Sequence, residues 1–226
     1  MNVRVDGKTS ARETGTALLG ARRSAQQRGG SVPYIARWSG ERDSSMPVVF
    51  RRDRRGIAYA DERFYDRDGY GVLWSRTPSQ PGRGTPEYGK VHSLRQRLCM
   101  TDLRCQVCGG PADRNPNGVL WLIDAGPQDL PHGPEHTAHP PVCRHCACRS
   151  LRACPHLRVE HVALRVRTFT PYGVSGALFH ATSSGPRPYD AGTVPLADPR
   201  LPWLRAGQLL MSLDDFTVID LTDLAA

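Results

Sequence analysis

Two cysteine pairs of CxxC spacing, Cys105-Gln-Val-Cys108 and Cys143-Arg-His-Cys146, restrict what this chain can fold into more than any other feature. A CxxC turn points two sulfurs at one centre, and two such turns supply the four soft ligands that tetrahedral zinc prefers. Gly109 and Gly110 follow the second sulfur, where the backbone must turn back and a left-handed conformation is easiest for glycine. The run Cys143 to Arg152 reads as a short helix carrying the second pair in its first turn. Seven cysteines, an odd number with four in CxxC pairs, read as metal ligands plus spare thiols rather than as a disulfide framework. The expectation is one structural Zn2+ on Cys105, Cys108, Cys143 and Cys146.

A chain of 226 residues can bury a core without disulfides, so a metal here is a local brace. No apolar run approaches the roughly 20 residues that span a bilayer, and the N-terminus lacks a basic-then-apolar leader pattern. A cytoplasmic protein with no membrane partner is expected. The formal charge of +8 is concentrated in residues 1–60 and around the cysteines, and arginine supplies nearly all of it, since Lys8 and Lys90 are the only lysines. Arginine binds phosphate bidentately. A GC-rich genome gives the same bias, so arginine content alone does not establish nucleic-acid binding.

Residues 1–31 are polar and basic, with too little apolar surface to offset ordering, and are expected to form a flexible tail. From Val32 onward a single α+β domain, 32–226, is expected, antiparallel and β-rich with a few short helices and an inserted zinc-binding segment, 99–157. Short β-prone runs at Val32–Trp38, Pro47–Phe50, Ile57–Ala60 and Val72–Ser75 predict a small antiparallel sheet. The Pro- and Gly-rich Thr77–Gly89 predicts a loop, Val91–Leu103 a helix, and Gly118–Ile123 a strand. Alternation predicts strands at Val162–Val166 and Gly173–His180, separated by a Pro171-Tyr-Gly turn. Leu204, Leu209, Leu210 and Leu213 suit one face of a helix over Trp203–Leu213, followed by a strand, Phe216–Leu221.

One internal echo is present. Asp66-Arg-Asp-Gly-Tyr-Gly-Val-Leu-Trp74 and Asp113-Arg-Asn-Pro-Asn-Gly-Val-Leu-Trp121 share the frame DRxxxGVLW at an offset of 47 residues. Each predicts a tight turn feeding a strand that buries Leu and Trp. The first copy has Ala58 and Asp61 where the second has Cys105 and Cys108.

Knuckle, hairpin, then a helix with ligands at its start is the order of a treble clef. The run Cys105-Gln-Val-Cys108-Gly, the strand end Ile123-Asp124, Pro127, and Cys143-x-x-Cys146 before a helix resemble the zinc-braced core of the HNH nuclease family over about 50 residues. The resemblance implies the scaffold. The family's catalytic histidine directly follows that aspartate, and this chain has Ala125 there, which removes the general base that hydrolysis needs. The organisation also resembles uncharacterised actinobacterial and phage proteins, a similarity that implies no activity. His132-x3-His136-x2-His139, in the loop between the pairs, has metal-ligand spacing only if helical, and its prolines oppose a helix. Cys148, Cys154 and His156, with Cys99 upstream, offer a second metal site, but Cys148-x5-Cys154-x-His156 fits no common ligand pattern and the cysteines read as core or spare thiols.

The functional expectation rests on charge beside the cysteines. Nine basic or histidine residues fall between Arg144 and Arg167, interrupted by one acid, Glu160. Arg144, Arg149, Arg152 and Arg158 are the expected phosphate contacts of a nucleic-acid-binding helix. Alternatives are a protein-interaction or scaffold module with purely structural zinc, and a divergent HNH-like nuclease. No P-loop, GxSxG, HExxH or dinucleotide fingerprint is present, so no catalytic residue is assigned.

Overall fold

The computed structural model describes residues 32–126, 130 and 133–221. The basic tail expected over 1–31, Pro127 and His132 lie outside these residues. Among them no helix is long and apolar enough to cross a membrane.

Strand β9 (Val162–Thr182) is the spine of the fold. It pairs antiparallel with β7 (Gly118–Ile123) along its first third, with β10 (Gly185–Pro195) along its second half, and with β11 (Leu204–Ile219) over most of its length. A two-residue hairpin of the short β6 (Arg114–Asn115) and β7 closes one edge. On the far side, β11 pairs parallel with β4 (Leu73–Trp74) and antiparallel with β8 (Glu135–Thr137). The result is a seven-stranded sheet, β-rich with few helices as expected, but mixed rather than wholly antiparallel because β4 runs parallel to β11.

Period-two alternation builds two cores on opposite faces of this sheet. Val119, Trp121 and Ile123 of β7 join Val162, Leu164 and Val166 of β9 in the main core, which helix α1 (Ser93–Thr101) covers through Met100. Leu120, Leu122 and Ala163 point the other way and pack against Cys105, Cys146, Val142 and Ala147. The cysteines are therefore the lid of a second, smaller core. Gln96 ties α1 to the sheet: its amide donates to Leu209 O (2.8 Å) and Ala138 O (2.9 Å) and accepts from Leu209 N (3.0 Å).

Four readings of local structure are corrected. Trp203–Leu213 is strand, not helix; only Leu201–Trp203 forms a single 3-10 turn. Leu204 and Ala206 alternate inward, a bulge at Gly207 inserts one residue, and Leu209, Met211 and Leu213 alternate inward beyond it. That phase shift is what imitates helical spacing. Pro171-Tyr-Gly is not a turn but continues β9, with the proline opposite Met211 at a second register shift, where a missing N–H is tolerated. The four N-terminal runs do not make one sheet: β1 (Ala36–Trp38) pairs with β5 (Pro86–Val91), β2 (Val48–Phe50) with β3 (Ile57–Tyr59), and β4 with β11. The loop expected over Thr77–Gly89 accordingly ends early, in β5.

A buried ion pair locks the N-terminal part onto α1. Arg95 grips Glu41 bidentately (2.6 and 2.8 Å) and donates to the carbonyls of Tyr34 and Ala36. Burial would raise the Glu41 pKa, but hydrogen bonds from Arg95 and from the Trp38 and Gln80 N–H groups overcome it and lower the value to about 2. Removing one partner of such a pair costs about 3–5 kcal/mol.

Candidate metal centre

The first pair sits on a tight knuckle between α1 and β6. Cys105 N donates to Gly110 O (2.7 Å) and Gly109 N to Cys105 O (2.8 Å), which folds the loop so that both sulfurs face one side. Gly109 has φ +72, and a Cβ there would lie 2.9 Å from the ring of Tyr34, so glycine is required twice over. Tyr34 and Ile35 hold the knuckle from outside, their N–H groups donating to Val107 O (2.9 Å) and Gln106 O (3.2 Å).

The second pair arrives from the sheet. Val142 N donates to Leu120 O (2.9 Å), Asp113 N to Val142 O (2.9 Å) and Gln106 N to Pro141 O (3.0 Å), so the chain entering Cys143 is laced to both the knuckle and β7. Cys143 is the N-cap of helix α2 (Arg144–Ala153) and Cys146 lies in its first turn, where i, i+3 spacing turns both side chains to one face. The positive end of the helix favours thiolates there.

All four sulfurs lie within 4.8 Å of one another, and among the described residues no histidine or carboxylate joins them in the cluster. A tetrahedral zinc with bonds of about 2.3 Å places its sulfurs about 3.8 Å apart. Cys108 and Cys143, 3.9 Å apart, already have that spacing. The four cysteines expected from the sequence are thus brought together, and they can hold one metal ion. Their acidities are consistent with this role. Burial pushes Cys105 up to about 11 despite N–H groups of Cys143, Cys108 and Val107 directed at it, and burial together with the neighbouring thiols also raises Cys146. Cys108 is opposed by its own desolvation yet falls below the ordinary thiol value, because the Gly110 N–H and the thiols of Cys105, Cys146 and Cys143 all stabilise its thiolate. Without a cation, ionising one sulfur disfavours the rest; a divalent ion reverses that balance.

The other cysteines stay outside. Cys99 is buried, directs its sulfur at Cys105 O (3.8 Å) and has its pKa raised to about 12 by desolvation. Cys148 and Cys154 are half-buried thiols on α2 and at its C-cap. Of the loop histidines, His136 stacks on Tyr172 with ring centroids 3.5 Å apart, and His139 accepts at its carbonyl from Trp121 Nε1 (3.0 Å). Ala125, after Asp124, packs against the main core.

The basic run around Cys146 divides into three. Arg149 is half-buried, with Nη2 3.9 Å from Cys146 Sγ, so it leans on the sulfur cluster, a role that spacing alone did not reveal. Arg165 and Arg167 belong to β9 and are neutralised by Asp113 (2.5 Å) and Asp215 (2.7 Å). Arg144, Arg152 and Arg158 are exposed on α2 and on α3 (Pro155–Val159), a separate helix because Pro155 restarts the chain after Cys154. No protein-family model, curated protein or solved structure matches this chain.

Proposed function

We propose that the four thiols hold one structural Zn2+ in a site of treble-clef order, and that the helical layer it braces, α2 with α3, binds nucleic-acid phosphates. An all-sulfur set of four ligands leaves no open coordination position for a substrate, which is the pattern of structural rather than catalytic zinc. The knuckle, the β6–β7 hairpin and the ligand-bearing start of α2 occur in the order that motif requires.

One observation carries the nucleic-acid reading. Arg152 and Arg158 are exposed, and neither has an acidic partner among the described residues, whereas Arg165 and Arg167 a few positions later are both paired. Exposed guanidiniums in the last turns of α2 and α3, without an acidic partner among the described residues, are available to phosphate. Val159, 89% exposed at the end of α3, favours a second reading, in which the same surface docks a protein partner.

Fluorescence anisotropy with duplex DNA, single-stranded DNA and RNA across a salt series separates the two. The nucleic-acid reading expects affinity that falls steeply with salt, and a logarithmic salt slope reduced by about one for each of Arg152→Ala and Arg158→Ala. No binding at low salt would overturn it and leave the protein-docking reading.

A further inference from the structure

A second cleft, separate from the sulfur cluster, opens where α1 begins. It encloses about 490 Å3, and four guanidiniums line it, those of Arg42, Arg63, Arg76 and Arg97, against a single lining carboxylate, Asp66. Asp66 is already spent on Arg76, which also pairs with Asp61 (2.7 Å) outside the lining. Arg63 is 3.8 Å from Asp61 and donates to Tyr65 Oη. Arg42 and Arg97 form no ion pair among the described residues; Arg97 instead lies 4.4 Å over the Trp74 ring. Burial draws the Arg97 pKa below its ordinary value, with Asp68 only partly opposing this, so its charge is poorly compensated where it stands.

The start of α1 adds neutral donors. The first N–H groups of a helix lack intrahelical acceptors. His92 Nδ1 takes that of Arg95 (3.4 Å), which leaves those of Ser93 and Leu94 for a ligand. Ser93 lines the cleft, is only 5% exposed, and its hydroxyl has no hydrogen-bond partner among the described residues. An anion seated over the helix start would accept from this hydroxyl together with the two N–H groups. Beside these donors, Tyr65, Pro78 and Leu94 form an apolar wall.

We propose that this cleft binds a phosphate monoester with a flat organic body, of the nucleotide class, with the phosphate between Arg42, Arg97 and Ser93 and the body against the apolar wall. The inference is independent of the α2–α3 surface, and its phosphate belongs either to a free nucleotide or to the end of a strand.

Calorimetric titration of the full chain with AMP, inorganic phosphate, adenosine and a 5′-phosphorylated hexanucleotide tests it. Expected are AMP binding that weakens with salt, competition by inorganic phosphate, and adenosine weaker by about tenfold or more. Arg42→Gln, at an exposed position that does not threaten folding, should weaken AMP about fivefold, and Ser93→Ala and Arg97→Gln should weaken it further. Hexanucleotide binding with the same sensitivity to Arg42→Gln, and tighter than AMP, assigns the phosphate to a strand; AMP binding tighter than the hexanucleotide assigns it to a free nucleotide. Binding of adenosine equal to that of AMP, or no AMP binding at low salt, overturns the proposal. AMP binding lost in Arg152→Ala and unchanged in Arg42→Gln also overturns it, by moving the ligand to α2–α3.

Discussion

The two DRxxxGVLW segments carry one local pattern and are braced by different chemistry. In both, an arginine from elsewhere in the chain holds the leading aspartate: Arg76 on Asp66 and Arg165 on Asp113. In both, a glycine with positive φ precedes a buried Leu-Trp pair, Gly71 at +77 and Gly118 at +118. Asp61, at the offset of Cys108, joins the Arg76 network at 2.7 Å, where its counterpart joins a sulfur cluster. The first segment feeds a two-residue strand at the sheet edge; the second feeds the six-residue β7, buried on both faces. A largely buried ion network suffices where the strand is short and lateral. Where a helix and a loop must be held against the back of a central strand, the fold uses four thiols.

Removing the metal should have the largest effect on this contrast. Chelation, or Cys146→Ser, is expected to release α2 and the second core, read as lost helical circular dichroism and rapid amide exchange over 99–157, while the Arg76 end stays protected. Gly118→Ala comes next: its Cβ would meet Val166 O at 2.3 Å with φ at +118, for a loss of about 3 kcal/mol in denaturant unfolding. Arg76→Ala should cost about 2–3 kcal/mol, because it strands Asp66, in a residue only 2% exposed. Gly71→Ala, with open space around it and only the left-handed φ to pay, should cost about 1 kcal/mol. If the two glycines cost the same, the two segments do not differ in the way their surroundings imply.

Acid should separate the two braces further. Thiolates compete with protons for a metal, so an ion held by the sulfur cluster should be released as pH falls through the weakly acidic range. The Arg76 hydrogen bonds hold the folded pKa of Asp66 below its ordinary 3.8, even though burial raises it. A depressed folded pKa means the stabilisation is present above 3.8 and is lost only as pH falls below that value. Glu41, at about 2 against an ordinary 4.5, behaves alike, its contribution fading from 4.5 downward. Metal release measured with a chromogenic chelator should therefore precede the loss of tertiary fluorescence during acid titration.

The sulfur cluster was legible because ligand spacing is a local property: CxxC, the glycines behind it and the helix start at Cys143 all act within a few residues. Helix α1, strand β7 and the β-rich class were legible for the same reason. The long strands were not. β11 reads as helix because a bulge shifts its inward phase by one residue, and Pro171 reads as a turn because nothing nearby announces that β11 carries a register shift opposite it. The Glu41–Arg95 pair joins residues 54 apart, so no window could reveal it. Arg149 and Arg152 look equivalent in sequence; only the fold turns one toward sulfur and leaves the other in solvent.

On the function proposed above, Cys105, Cys108, Cys143 and Cys146 jointly hold one zinc that braces the second core. Native mass spectrometry of the purified chain, with the same protein unfolded in acid as the reference mass, tests it directly. One zinc per chain is expected, absent from Cys105→Ser and retained in Cys99→Ser and Cys148→Ser. A metal-free wild-type chain that keeps its full amide protection over 99–157 would contradict it.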